Sequence, residues 1–520
     1  MSENRETAAV PGAISPVMDL DHDACCRALA TRDARFDGRL FVGVKTTGIY
    51  CRPICPARTP KRENVIFFPS AAGAQEAGFR PCLRCRPETA PDLGAWRGTS
   101  NTVSRALALI ETGALDGADV ETLAARLGVG ERQLRRLFRQ HLGASPMAVA
   151  QTRRVLLAKQ LIHQTRLPMT QVALASGFGS VRRFNEAFQQ LYDRPPADLR
   201  RAQASAQPLE TGAWLSLALP YRTPYDWSGL IGFLSMRAIA GVEAVSAAGY
   251  ARTIVLGADK GLLKVEALGG DRLAVAVRFP RLDALPAIIA KVRRVFDLAA
   301  DPFAIGEHLA RDPVLAPLVA ARPGLRVPGA WDGFELAVRA ILGQQITVGA
   351  ATALAARLAR DFGEALPPDL AGAVPGLTHV FPSAERLAGA DLSGLGMPRA
   401  RIAALSSLAA AVAADPLIFG PGRGLDEAIA KLKSLPGIGE WTAQYIAMRE
   451  LREPDAFPAA DVGLMRALAG PGGVRPTPAE LQARAEPWRP WRAYAALHLW
   501  APETQPSSQT SELPNDRQAA

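Results

Sequence analysis

The stretch LKSLPGIGEWTAQYIAMR, residues 432–449, sets Pro436-Gly437-Ile438-Gly439 between two runs whose apolar residues recur at helical spacing. The glycines let the backbone come close to a partner, and the amides opening the second run point toward an anion. Taken alone, such a stretch is a tight connector between two helices. Eighteen residues beyond Gly439 begins FPAADVGLMRAL (457–468), with Asp461 leading a further helix. Aspartate is among the preferred N-cap residues, which gives Asp461 a structural use. It also has a chemical one, because a helix N-terminus favours the ionised carboxylate and an anion placed there stabilises a developing cation.

Working outward, the hairpin and Asp461 are preceded by PYDWSGLIGFLSMRAI (224–239), ILGQQITV (341–348) and LGMPRAR (395–401) and followed by WRPWRAYAALHLW (488–500). In this order the segments resemble an AlkA-type 3-methyladenine DNA glycosylase of the helix-hairpin-helix superfamily. The resemblance implies that Gly437 and Gly439 hold a DNA phosphate, that Gln345 enters the gap left by a flipped base, and that Trp441, Tyr445, Trp500 and Phe233 form the base pocket. Asp461 becomes the catalytic carboxylate beside an oxocarbenium-like sugar. Relatives that also cut the strand carry a lysine two residues after the second hairpin glycine, where this chain has Trp441. With no amine there to form a Schiff base, water is the expected nucleophile, as in DNA-3-methyladenine glycosylase II, a monofunctional hydrolase. Two positions depart from some relatives: Gln345 stands where they have leucine, and Val462 where they have an aromatic residue.

All six cysteines lie before residue 86. GIYCRPICPARTP (48–60) carries Cys51 and Cys55, and Cys82 and Cys85 follow after 26 intervening residues. Two close pairs on separate loops suit tetrahedral Zn²⁺, since each loop delivers two thiolates. Cys25 and Cys26 lack a matching pair and read as ordinary reduced thiols. The run RDARFDGRLFVGVKTTGIYCRPICPARTPKRENVIFF and the following GFRPCLRCRP, within 32–87, resemble the amino-terminal domain of the Ada family. That resemblance implies that Cys51 accepts a methyl group from a DNA methylphosphotriester, that Cys55, Cys82 and Cys85 complete the zinc site, and that Thr47, Arg58 and Arg80 contact phosphate. Formally, methylation moves the zinc-thiolate site from −2 to −1, weakening its repulsion of phosphate; the transfer can thus tune DNA affinity.

Between these regions, LAARLGVGERQLRRLFRQHLG (123–143) and MTQVALASGFGSVRRFNEAF (169–188) each place a helix, a glycine-containing turn and a second helix in order. The second helices carry Arg132, Arg135, Arg136 and Arg139, and then Arg182 and Arg183. Two such units joined by a long helix over 147–163 resemble the AraC-type DNA-binding domain, which implies reading helices in successive major grooves. The charge agrees: residues 101–200 hold 14 Lys and Arg against 8 Asp and Glu.

The net charge of +10 is uneven, with 28 basic against 19 acidic residues over 1–200 and 32 against 31 over 201–520. A basic half joined to a neutral half suggests that the first meets a polyanion over a broad face and the second binds by shape or local contacts; a solvated arginine-rich surface is the alternative, and composition alone does not separate the two. The expected organisation is multidomain: a small α/β zinc domain (18–92), an all-α tandem helix-turn-helix domain (97–202), a small antiparallel α+β domain (213–300) and an all-α helix-hairpin-helix glycosylase domain (301–503). Residues 201–212 have linker composition, and the tail from 502 that of a disordered segment. The first twenty residues lack a signal-peptide pattern and no apolar run is long enough to span a bilayer, so the chain is expected in the cytoplasm, associated with the nucleoid. No cysteine follows residue 85, so O6-alkylguanine transfer is not expected.

The implied function is alkylation repair with adaptive-response regulation. Its partners are double-stranded DNA, through alkylated bases, methylphosphotriesters and promoter sites, and RNA polymerase. Two other readings stay open: a transcriptional regulator whose glycosylase half only binds DNA, and a glycosylase whose zinc is purely structural.

Overall fold

A computed structural model describes residues 21–90, 102–200, 213–420 and 424–501. The proposed linker at 201–212, the tail from 502, and the outer ends of the expected zinc domain at 18–20 and 91–92 lie outside the described residues.

The zinc domain is a four-stranded sheet in the order Val65–Phe68, Phe41–Val44, Ile49–Cys51, Arg80–Pro81, antiparallel except for the last pair. Phe41, Tyr50 and Phe79 pack on one face beneath the short helix Ala71–Glu76. This core is small, and the four cysteines gathered at the end of Ile49–Cys51 stand where a bound metal would cross-link it.

Six helices follow. Glu131–Leu142 buries Leu134, Phe138 and Leu142, and Val181–Tyr192 buries Phe184, Phe188 and Tyr192. In both, the i, i+4, i+8 spacing turns one apolar stripe inward and leaves the arginines outside. The long helix Pro146–Gln164, capped by Ser145, joins the two units. It is buried on several sides, because it also packs against the zinc domain.

The expected antiparallel α+β domain contains a five-stranded antiparallel sheet in the order Leu215–Pro220, Arg272–Arg278, Asp259–Ala267, Gly249–Leu256, Glu243–Val245. Helices Trp227–Met236 and Leu285–Val295 cover it. The remaining region is helical, with one addition: Glu364–Ala365 pairs with His379–Val380 in a two-stranded ribbon. Within it, Trp488 Nε1 donates to Asp312 at 2.8 Å and His308 contacts the Pro487 carbonyl at 3.0 Å, so the segment after 301 packs on the last helices of the chain. Among the described residues no helix is long and apolar enough to cross a membrane.

Candidate base pocket and candidate metal centre

Helix Glu440–Arg449 begins at Gly439 and carries Trp441, Tyr445 and Arg449 on one face, four residues apart. The Trp441 and Tyr445 rings are stacked, with centroids 5.1 Å apart and planes 9° apart. Across from them, helix Arg492–Trp500 brings Trp500 to the same cavity, whose volume is about 400 Å³.

Asp461 stands on the wall of this cavity as the N-cap of Val462–Ala467. Its Oδ1 accepts from the Leu464 amide at 2.9 Å and from Trp500 Nε1 at 2.9 Å, and its Oδ2 accepts from Trp441 Nε1 at 2.8 Å. Three donors hold the carboxylate in one orientation. The indoles therefore do two jobs: their faces line the pocket and their N–H groups aim the carboxylate.

Phe233 sits elsewhere than expected. It is buried behind the pocket lining, with Arg237 over its ring at 3.8 Å and Arg449 at 4.9 Å. The reason is that Phe233 faces the core side of Trp227–Met236, so Arg237, just past that helix's end, reaches the cavity instead. Arg449 also donates to the Tyr445 hydroxyl at 2.6 Å. Burial pushes that hydroxyl up, but Arg449 and Arg237 outweigh it and hold it below the usual phenol range. Arg237 and Arg449 went unread in the sequence, although Arg449 continues the four-residue spacing of Trp441 and Tyr445.

Beneath the cavity, Glu335 bridges Arg252 at 2.7 Å and Arg339 at 2.5 Å, and Arg339 reaches Glu243 at 2.5 Å. Burial raises the Glu335 carboxyl, but the two arginines outweigh it and bring it to about 2. This buried ion network ties the sheet domain to helix Gly333–Leu342.

At the hairpin, Gly437 has φ +82°, and a Cβ there would stand 2.3 Å from the Ala404 Cβ. Gly439 has extended backbone and opens the following helix. Gln345 is exposed, with φ +60°. Its neighbour Gln344 donates to the Gly437 carbonyl at 2.9 Å, and Arg401 donates to the Gln344 carbonyl at 2.5 Å. The strained loop and the hairpin are thereby held together, by two residues that sequence patterns did not single out.

In the zinc domain, Cys51, Cys55, Cys82 and Cys85 place their sulfurs within 4.8 Å of one another. Hydrogen bonding led by Cys55 pushes Cys51 up, and that led by Cys51 pushes Cys82 down. Four sulfurs at this range cannot all ionise without a cation, and Zn²⁺ with four soft tetrahedral ligands fits the donor set. Backbone amides support the sulfurs: Arg52 N donates to Cys85 Sγ at 3.3 Å and Arg84 N to Cys82 Sγ at 3.4 Å. Three of the cysteines are buried and Cys51 is half-buried. It opens on a depression of about 420 Å³ that Thr47, Arg58, Arg80 and Arg84 also line. Cys25 is buried and Cys26 half-buried, away from the cluster.

Arg132, Arg135, Arg136, Arg182 and Arg183 are exposed on their helices. Arg135 pairs with Glu131 and Arg182 with Glu186, one turn away in each case. Arg139 instead pairs with Glu76 of the zinc domain at 2.8 Å, so it belongs to an interdomain contact. The long helix meets the same domain through Lys159, which pairs with Glu88 at 2.9 Å, both side chains fully buried.

Four family models match the chain: the metal binding domain of Ada over 24–88, a helix-turn-helix domain over 123–202, the AlkA N-terminal domain over 216–332, and the HhH-GPD superfamily of base excision DNA repair proteins over 338–493. The chain is 42% identical over 491 residues to the "probable bifunctional transcriptional activator/DNA repair enzyme AlkA" of Mycobacterium tuberculosis, covering 94% of this chain and 98% of that protein. It is 38% identical to DNA-3-methyladenine glycosylase 2 of Escherichia coli, over 55% of this chain and 96% of that one. Among solved structures, a 3-methyladenine DNA glycosylase from Archaeoglobus fulgidus aligns with a TM-score of 0.48 at 22% identity, covering 55% of this chain and 98% of its own. With a metal-binding domain, a helix-turn-helix domain and a glycosylase in one chain, and a relative matched along nearly its whole length, the chain belongs to the family of bifunctional transcriptional activator and DNA repair proteins that join an Ada-type zinc domain to an AlkA-type glycosylase.

Proposed function

We propose that the carboxy-terminal half hydrolyses the N-glycosidic bond of alkylated bases such as 3-methyladenine. The observation that carries this is the Asp461 carboxylate, held by Trp441, Trp500 and its own helix N-terminus at the wall of an aromatic cavity. A flipped, electron-poor base stacks on the indole and phenol faces, favoured over a neutral one by about 0.5–2 kcal/mol. As the bond to the base breaks, positive charge grows on the sugar, and the fixed carboxylate stabilises it without having to abstract a proton. Water completes the substitution, since Trp441 occupies the position from which an amine would attack. Gln345 stands in the place of the flipped base, and the amides after Gly437 and Gly439 hold phosphate.

The test is release of free 3-methyladenine from methylated duplex. Asp461→Asn can keep the cap through its one amide oxygen, but removes the charge and the acceptor for the Trp441 indole N–H, and is expected to slow release by about 10²–10³-fold. Unchanged release by this variant, with normal folding, overturns the assignment.

A second activity belongs to the amino-terminal half, and the half-exposed Cys51 among arginines favours it over a zinc of structural use alone. Zinc, when bound, keeps the four sulfurs as thiolates. The Cys51 sulfur attacks the methyl carbon of a methylphosphotriester; the S–C bond forms, the O–C bond breaks, and the phosphate leaves as a diester anion. Thr47, Arg58, Arg80 and Arg84 position that phosphate. The product is a thioether, so each molecule turns over once. Peptide mass spectrometry after exposure to methylphosphotriester DNA is expected to find the methyl group on Cys51 alone. Transfer there would ease approach of the exposed arginines to promoter DNA, with RNA polymerase as the partner recruited in the cytoplasm.

A further inference from the structure

The zinc domain also touches the glycosylase half directly, through groups that neither proposed activity uses. Arg222, 4% exposed, follows the first strand of the five-stranded sheet. It reaches into the zinc domain and donates to the carbonyls of Arg35, at 2.5 Å, and Asp37. Arg39 of the zinc domain reaches the other way and pairs with Asp301, which also stands 3.7 Å from Arg222. Asp301 is 2% exposed and caps helix Pro302–Leu309 of the glycosylase half. Arg326 locks the glycosylase side by donating to the Arg222 carbonyl and, at 2.9 Å, to that of Ala300.

The zinc side of this contact leads straight to the metal cluster. Asp37, 5% exposed, accepts from Arg52 Nε at 2.8 Å. Arg52, 6% exposed, follows Cys51 in the chain, donates its amide to Cys85 Sγ at 3.3 Å, and donates its guanidinium to the Cys85 carbonyl at 3.3 Å and to Thr89 at 2.7 Å. The segment 33–39 is therefore held on one face by a residue fixed to two zinc ligands and docked on the other by the glycosylase half. A second contact runs alongside it: Gln164 of the long helix accepts from the Ala218 amide at 2.9 Å, and Gln160 donates to the Ala218 carbonyl at 3.0 Å.

Burying this many charges is costly unless each keeps its partner, so the contact holds only while the 33–39 segment keeps its shape. That shape depends on Arg52, and Arg52 depends on the positions of Cys51 and Cys85. We propose that the zinc domain is the docking platform of the glycosylase half, and that metal occupancy of the four-cysteine cluster is felt in that half through Arg52, Asp37, Arg222 and Asp301. The inference needs zinc at the cluster but neither the methyl transfer nor the base excision.

Seven of the eight tryptophans lie at or after residue 214, so tryptophan fluorescence follows unfolding of the glycosylase half in the intact chain. Stripping zinc from the full-length protein with a chelator is expected to lower the midpoint of that transition by about 3 °C or more. In Arg222→Met the zinc-dependent shift is expected to vanish, whatever the variant's own midpoint. Asp301→Asn, which retains the helix cap, and Arg39→Gln, at the rim of the contact, are expected to shrink it by about half. Hydrogen exchange at the Phe303 and Ala304 amides supplies a second readout and speeds up on chelation in the wild type but not in Arg222→Met. A wild-type midpoint indifferent to zinc, or a full shift surviving in all three variants, overturns the proposal. Neither result bears on whether Asp461 or Cys51 reacts.

Discussion

The four-cysteine cluster and the aromatic cavity, proposed as metal centre and base pocket, are built in opposite ways. The four zinc ligands come from two short stretches, 51–55 and 82–85, each delivering a pair of sulfurs. The pocket draws Arg237, Ile346, Trp441, Asp461 and Trp500 from five separate parts of the chain, more than 260 residues apart at the extremes. A site assembled around one ion should fail all at once, because zinc needs its full ligand set. A site assembled from packed side chains should fail in degrees, since each wall is supported by its own core.

The largest expected effect lies at the metal centre. Cys82→Ala is expected to lose zinc altogether, as metal linkage in closed sites of this kind is worth on the order of 10 kcal/mol. Zinc stoichiometry of the purified variant measures it, and near-full retention would break the contrast. The next effect is one of pH. Burial, reinforced by Arg322, brings His498 down from the usual imidazole range to about 4. The unfolded chain takes up this proton near pH 6.5 and the folded chain only near 4, so His498 costs stability progressively as pH falls through that window, by about 3 kcal/mol in all. Glu450 works in the opposite sense, since burial pushes its carboxyl up to about 7. Acidification from neutrality toward its ordinary range therefore adds stability through Glu450. Denaturant titrations of His498→Asn and Glu450→Gln at pH 7 and pH 4.5 are expected to show slopes of opposite sign relative to wild type.

Gly437→Ala places a Cβ at φ +82° against Ala404, and is expected to cost about 1–3 kcal/mol of local stability, read as weaker binding to undamaged duplex. The smallest effect expected is that of Trp441→Phe. It keeps the stacking surface but removes one of three donors to Asp461, and should lower the rate of base release by about tenfold, equivalent to roughly 1–1.5 kcal/mol. Complete loss of activity in this variant would mean that the pocket is as brittle as the metal centre.

The same contrast explains which parts of the molecule could be read in advance. The cysteine pairs and the two helix-turn-helix units carry local patterns, so their spacings are visible in the sequence; the Leu134, Phe138 and Phe184, Phe188 stripes on the second helices are local in the same way. Asp461 can be read as a cap and as a carboxylate for chemistry; the structure shows the cap and sets the side chain on the cavity wall. Phe233 could not be placed correctly from pattern, because whether a helix residue faces a cavity or its rear wall depends on what packs on either side. In the sequence Arg139 is one more arginine of its helix; in the fold it pairs with Glu76 of the zinc domain.

By itself the sequence determined most of the helices, the order of the domains, the two cysteine pairs and the hairpin with its following aspartate, all of which rest on interactions between residues near each other along the chain. Only the tertiary structure decided that two indoles aim Asp461, that Arg237 rather than Phe233 faces the cavity, that Gln344 and Arg401 brace the loop of Gln345, and that Arg222 and Asp301 dock on the zinc domain. Those contacts join residues tens to hundreds of positions apart, and hydrogen bonds and buried ion pairs of that range leave no period or spacing in the chain that forms them.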